Sequence, residues 1–239
     1  MKALIAGLCM IALMQGGVVQ AQNGQGQGTL AIPEAPEVVP PGWPPPENLC
    51  AIEATHDFDQ DPLNPGLLTT DQFRTWAISG ADRANPRHLL FLGIMHDYGR
   101  GVQKSQRRAD DYYKKAAALG EAGAMVRLGK SYCQRKLYCL AAQSFHAAAL
   151  RDDDAGQMML SKLYRWGLGV YYDPVTAYKW GHLAMEKTPG NWLLHNIEGV
   201  NYLADIENII TDDEFERAKG MIDDFKKGFN QGPVICREE

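Results

Sequence analysis

The feature that most constrains this chain is a spacing that recurs. Leu92, Ala109 and Ala116 stand 17 and 7 residues apart, and Leu160, Ala177 and Ala184 repeat both offsets. Between them, Leu128, Ala141 and Ala148 keep the 7-residue step and shorten the first to 13, a loss of four residues. The outer copies carry Gly-x-Gly-Val, at Gly99 to Val102 and Gly167 to Val170. The middle copy lacks it and has Cys133 and Cys139 flanking the gap. A unit of this length cannot bury its apolar face alone, so copies that recur in this way must stack.

The punctuation between landmarks is helical. Asn85-Pro86 and Asp173-Pro174 read as an N-cap followed by a first-turn proline, and Ser105 as a further cap. Apolar residues three and four apart place helices near 86 to 98, 105 to 119, 122 to 133, 139 to 150, 155 to 166, 174 to 187, 191 to 204 and 212 to 228. The last opens on a capping box, Thr211 to Glu214, and Thr69-x-x-Gln72 marks another helix running to about Asp82. No segment reads as a strand. The class is therefore all-α, with small residues at the alanine landmarks letting helices approach. Gly99, Gly101, Gly167 and Gly169 supply turn conformations that other residues avoid.

Composition excludes more than it selects. The chain is 45% apolar and 22% charged, ordinary for a globular protein, and a formal charge of -5 argues against nucleic acid as a partner. The basic run Lys104 to Arg108 is followed by Asp110 and Asp111 and reads as a solvated face. Residues 1–21 read as a signal peptide: Lys2, an apolar run from Ala3 to Met14, and a Val19-Gln20-Ala21 cleavage site. That run is too short to span a bilayer, and the mature chain is expected to have no transmembrane span. Residues 22–47 form a Gln/Gly-rich and then proline-rich linker holding seven of the chain's 13 prolines. Its bland reading is a semi-rigid tether, and the sharper one a docking peptide around Trp43.

Export leaves four cysteines, Cys50, Cys133, Cys139 and Cys236, and an even count in an oxidising compartment points to two disulfides. Residues 48–84 form an entry segment with a capping helix. Within it Asp57, Asp59 and Asp61 resemble half of a calcium loop, giving a calcium-responsive alternative. The register is wrong, since Pro62 takes the glycine place and Leu68 the glutamate place.

At its repeats the chain is similar to the Sel-one-like repeat family, relatives of the tetratricopeptide repeat. The copies read LGIMHDYGRGV with ADDYYKKAAALG, LGKSYC with AAQSFHAAA, and LSKLYRWGLGV with AYKWGHLAME. The resemblance implies a right-handed α/α solenoid: repeat 1 over 85–120, a shortened repeat 2 over 121–153, repeat 3 over 154–189, and an atypical repeat 4 with a C-terminal capping helix over 190–230. A tail, 231–239, follows. Ser161 departs from the family glycine. The cysteine-rich secreted branch of the family ties the two helices of a repeat together, which implies a Cys133–Cys139 bridge and leaves Cys50 for Cys236.

No catalytic signature accompanies the repeats. The sequence has no Ser-x-x-Lys, since Asp82, Arg108, Gln134, Ala147 and Tyr164 stand three after the candidate serines. Gly-x-Ser-x-Gly, His-Glu-x-x-His and a phosphate loop are likewise missing. The histidines are scattered; His96 sits at the family tyrosine position and reads as packing, while His146 and His182 read as exposed. Asp152 to Asp154 and Asp212 to Glu214 precede helices, where negative charge is favoured. Tyr112, Tyr113, Phe145 and Trp180 read as core. Tyr138, Arg165, Trp166, Tyr171 and Tyr172 fall at or beside turns, a composition suited to a binding hot spot. The expected protein is a periplasmic or secreted, non-catalytic adaptor without cofactor or metal. Its partner is another envelope or secreted protein, with peptidoglycan second. A cell-wall-peptide or penicillin-binding protein is the alternative that the resemblance carries.

Overall fold

A computed structural model describes residues 49–50, 70–187, 202–229 and 231–237. Among these the secondary structure is nine helices and one isolated bridge. They are α1 (Thr70–Ala81), α2 (Pro86–Tyr98), α3 (Gln106–Ala118), α4 (Ala122–Gln134), α5 (Tyr138–Ala149), α6 (Asp154–Trp166), α7 (Pro174–Lys187), α8 (Tyr202–Glu207) and α9 (Asp212–Lys226). The signal peptide, the proline-rich linker, the Thr69 cap, Asp57 to Asp61 and most of the helix expected over 191–204 lie outside the described residues.

Local chemistry sets each boundary. Asn85 Oδ1 accepts from the N–H groups of Arg87 and His88 at 3.0 and 3.4 Å, and α2 closes on Gly99, whose N–H reaches Met95 O. Asp153 caps α6 at 2.8 Å from Gly156 N, and Gly167 ends it in the left-handed region. Thr211 and Glu214 complete the reciprocal capping box of α9. In repeat 2 the glycine turn is replaced by Lys136 at φ 60°. Leu137 N–H reaches Tyr132 O and Lys136 N–H reaches Cys133 O, at 3.0 and 2.9 Å, which is a Schellman closure. The short turn is thus closed by backbone hydrogen bonds.

Packing follows the chain, each helix lying chiefly on its sequence neighbours. The landmark alanines and Leu92, Leu128 and Leu160 are all buried. In repeats 1 and 2 a glycine on the first helix receives a ring from the second. A Cβ on Gly93 would fall 2.4 Å from Tyr113, and one on Gly129 would fall 2.7 Å from Phe145. Repeat 3 inverts the pair, placing Ser161 and Gly181 at these positions. Tyr202 of α8 supplies the ring, 3.2 Å from the point a Gly181 Cβ would occupy. Its hydroxyl donates to Ser161 Oγ at 2.8 Å, and Ser161 donates to Ala177 O. The Ser161 departure therefore anchors α8, the helix that precedes the C-terminal one.

Two disulfides are present, and their pairing differs from the expected one: Cys50 joins Cys133, and Cys139 joins Cys236. The reason lies in the side-chain directions. Cys133 is 1% exposed and points into the core beside Leu49, whereas Cys139 is half-buried at the start of α5, where the C-terminal segment passes. Repeat 2 thus carries one cysteine of each bridge instead of a bridge of its own.

Candidate interaction surface

The α6–α7 turn is where the unusual residues converge. Gly167 and Gly169 have φ of 62° and 65°, matching 75° and 67° at Gly99 and Gly101. Gly169 meets a second demand, because a Cβ there would lie 2.3 Å from Cys139 N. The turn of repeat 3 therefore rests directly on the first turn of α5. The tail reaches the same place from the other side. Cys236 pairs with Val170, and Arg237 N–H donates to Gly169 O at 3.1 Å.

The five turn residues separate into two groups. Arg165 is 7% exposed, its guanidinium 5.4 Å from both the Trp166 and Tyr202 rings and 3.8 Å from Asp205 Oδ2. It docks α8 against α6 and offers little to a partner. Trp166 and Tyr172 are half-buried, and burial raises the Tyr172 phenol above its usual range. Tyr138 is brought against Gly169 from the preceding repeat, and Tyr171 is 37% exposed. Three large apolar side chains that the periodicity did not single out stay exposed beside these contacts in sequence: Leu137 and Leu140, which flank Tyr138 and Cys139, and Ile235 next to Cys236, the last 61% exposed. Lys136 and Arg237, both exposed, add positive charge beside them.

Other titratable groups serve packing. His96 is buried, its Nδ1 3.1 Å from Gln103 O, and stacks on Tyr112. His146 and His182 are half-buried, against the exposed positions expected of them; burial and nearby Lys179 lower His146. Asp110, buried between α3 and α4, accepts from Ser131 and Arg135 at 2.7 and 3.0 Å. Lys179 is the unforeseen one. It is 2% exposed, its ammonium 4.1 Å from the Trp180 ring centroid and donating to Gln231 Oε1, and desolvation pushes it down to about 8. On α7 alone it reads as an outward residue, and only the tail and α9 bury it. Lys104, Arg107 and Arg108 are exposed. An open groove of about 510 Å³ lies at the other end of the array, lined by Ile78, Leu89, Tyr112 and Leu119. Among the described residues no group of three His, Cys, Asp or Glu side chains is placed to hold a metal, and no helix is long and apolar enough to cross a membrane.

Stacked helix pairs with glycine turns and alanine seams define an α/α solenoid. A Sel1 repeat protein from Oxalobacter formigenes has the same fold, with a TM-score of 0.51 and 21% identity over 66% of this chain and 64% of that one. This chain thus spans a little under two thirds of that protein's length. A protective antigen present in uropathogenic Escherichia coli strains, displaying an SLR fold, aligns with a TM-score of 0.35 and 20% identity over 71% of this chain and 45% of that one. No family model matches the sequence, and no curated protein matches it. The chain has the Sel1-like repeat fold.

Proposed function

We infer that the protein is a non-catalytic scaffold that binds another protein through the surface around the α6–α7 turn, after export to the bacterial envelope. One observation carries the reading. Leu137, Leu140, Tyr171 and Ile235 stay exposed on three segments, each within two residues of the Cys139–Cys236 bridge or of Gly169, where the bridge and the Gly169 contact hold the backbone. Exposed apolar side chains on a pre-ordered backbone bind with little ordering cost. Lys136 and Arg237 favour a partner with acidic residues around an apolar centre. The repeat fold supports a scaffold role, and the use of all four described cysteines in disulfides supports an oxidising compartment. Peptidoglycan is the second ligand to test.

A photo-crosslinking residue placed at Leu140 or Tyr171 is expected to capture one and the same envelope protein, and at exposed Lys114 on α3 to capture nothing in common with them. Excess soluble muropeptide in the same reaction is expected to leave the adduct intact. Equal capture from Lys114 sinks the surface assignment, and competition by muropeptide transfers the function to the cell wall.

A further inference from the structure

The two bridges close loops of similar size, with sequence separations of 83 and 97, so chain entropy does not rank them and local chemistry does. Cys139 is the second residue of α5, where unpaired N–H groups and the positive helix end stabilise a thiolate. No side chain caps that end. Gln143, one turn on, directs Nε2 at both sulfurs, 3.6 Å from Cys139 Sγ and 3.5 Å from Cys236 Sγ. Cys133 is placed oppositely, buried in the last turn of α4, where the negative helix end disfavours a thiolate. Cys139 and Cys236 are both half-buried, so a reductant can reach either sulfur of this bridge, whereas in the other only Cys50 is half-buried.

What Cys236 holds down is the strap 231–237. Arg237 N–H bonds to Gly169 O, Cys236 pairs with Val170, and Gln231 Oε1 accepts from the buried Lys179 ammonium. We propose that Cys139–Cys236 is a redox-labile latch whose chemical partner is a dithiol reductant, and that its reduction frees the strap while Cys50–Cys133 stays joined and the helices stay folded. A thiolate of the dithiol attacks Cys236 Sγ and the Sγ–Sγ bond breaks. The electron pair leaves on Cys139 Sγ, received by the helix end and the Gln143 N–H before protonation. The second thiol of the reductant then displaces Cys236, so two electrons reach the protein and the reductant departs as its own disulfide. Lys179 loses its acceptor, and the Gly169–Val170 edge becomes open to solvent.

The full chain, equilibrated in dithiol buffers of graded poise, alkylated and mapped by mass spectrometry, tests this directly. Cys139 and Cys236 are expected to alkylate together at a poise where Cys50 and Cys133 remain joined. On the same samples the helical circular dichroism persists and hydrogen exchange at the Arg237 amide accelerates. Gln143→Leu shifts the reduction equilibrium about tenfold against reduction, which is about 30 mV for a two-electron couple. Gln143→Glu, which keeps the size of the side chain, shifts it the same way by facing the thiolate with a carboxylate. Simultaneous reduction of both bridges, earlier loss of Cys50–Cys133, unchanged Arg237 exchange after reduction, or an unmoved midpoint in both variants overturns the proposal.

Discussion

Removing cysteines in pairs distinguishes the observed connectivity from its rival by a wide margin in free energy. The bridges span separations of 83 and 97 residues and enclose stretches that do not overlap, so in the chain-entropy model each stabilises the fold independently by about 4.5 kcal/mol. A Cys133–Cys139 bridge would close only seven residues and contribute about 2 kcal/mol. The informative variant is Cys133→Ala with Cys139→Ala. With the observed pairing it breaks both bridges and costs about 9 kcal/mol, much of the 5–15 kcal/mol that holds a domain together. With the rival pairing it breaks one short bridge and costs about 2 kcal/mol.

The controls are Cys50→Ala with Cys133→Ala, and Cys139→Ala with Cys236→Ala. Each is expected to cost about 4.5 kcal/mol, or roughly 9–18 °C of Tm at this chain length. Calorimetry at one protein concentration, with free thiols counted under denaturing conditions, gives the comparison. Two half-sized losses and one full-sized loss support the structure. A small loss for Cys133→Ala with Cys139→Ala, against a large one for either control, would refute it.

Three further outcomes follow from the packing. Gly169→Ala is expected to cost at least 3 kcal/mol, because the new methyl meets the α5 backbone as well as a positive φ, whereas Gly167→Ala meets only the conformational cost of about 1 kcal/mol; urea denaturation compares the two. Gly93→Ala should cost about 1–3 kcal/mol by displacing the Tyr113 ring, while Gly220→Ala on α9, where the methyl meets nothing, should stabilise by about 0.5–1 kcal/mol; equal thermal shifts in the two variants would contradict the seam. Lys179 is charged in the unfolded chain up to about pH 10.5 but, held at about 8 in the fold, binds fewer protons there between those values, so stability rises with pH through that window. At neutral pH this displacement corresponds to roughly 3 kcal/mol of lost stability. Lys179→Met is therefore expected to stabilise at pH 7, with an advantage that shrinks toward pH 10 in chemical denaturation.

The sequence made local features legible and left long-range ones open. The Asn85-Pro86, Asp153 and Thr211 caps and the glycine turns act within a few residues, and the structure realises each where the chain was punctuated for it. The alanine seams were equally visible, since their burial follows from period alone. Disulfide partners are set by where the chain returns, and four cysteines allow three pairings that local pattern cannot rank. Arg165 illustrates the same limit. At the end of α6 it resembles a surface residue, and it becomes an interior cation only because Tyr202 and Asp205 come back over it from α8. Lys179 and the placing of Ile235 beside α5 through Cys236 depend on the tail in the same way, so the candidate surface was only partly foreseeable.

The loss of four residues in repeat 2 has a structural use that goes beyond the turn itself. With no Gly-x-Gly-Val loop there, the first turn of α5 is bare enough for Gly169 to rest on its backbone, and the strap can reach Cys139 across the same ground. On the other side of the short turn, Cys133 receives Cys50, and Leu49 joins the core of repeats 2 and 3. A plain solenoid is a one-dimensional stack whose ends fray first, because each unit is held only by its neighbours. Here segments from both ends of the described chain are tied covalently to the central repeat. An end helix pair that loosens must therefore strain a bridge anchored at Cys133 or Cys139, which couples the ends to the middle and favours one cooperative transition. It follows that cutting the latch at Cys139 should loosen α7 to α9, and cutting Cys50–Cys133 should loosen α1 and α2. Region-resolved hydrogen exchange on the two paired-alanine variants would show that division, and uniform loosening in both would argue that the bridges act only on the unfolded chain.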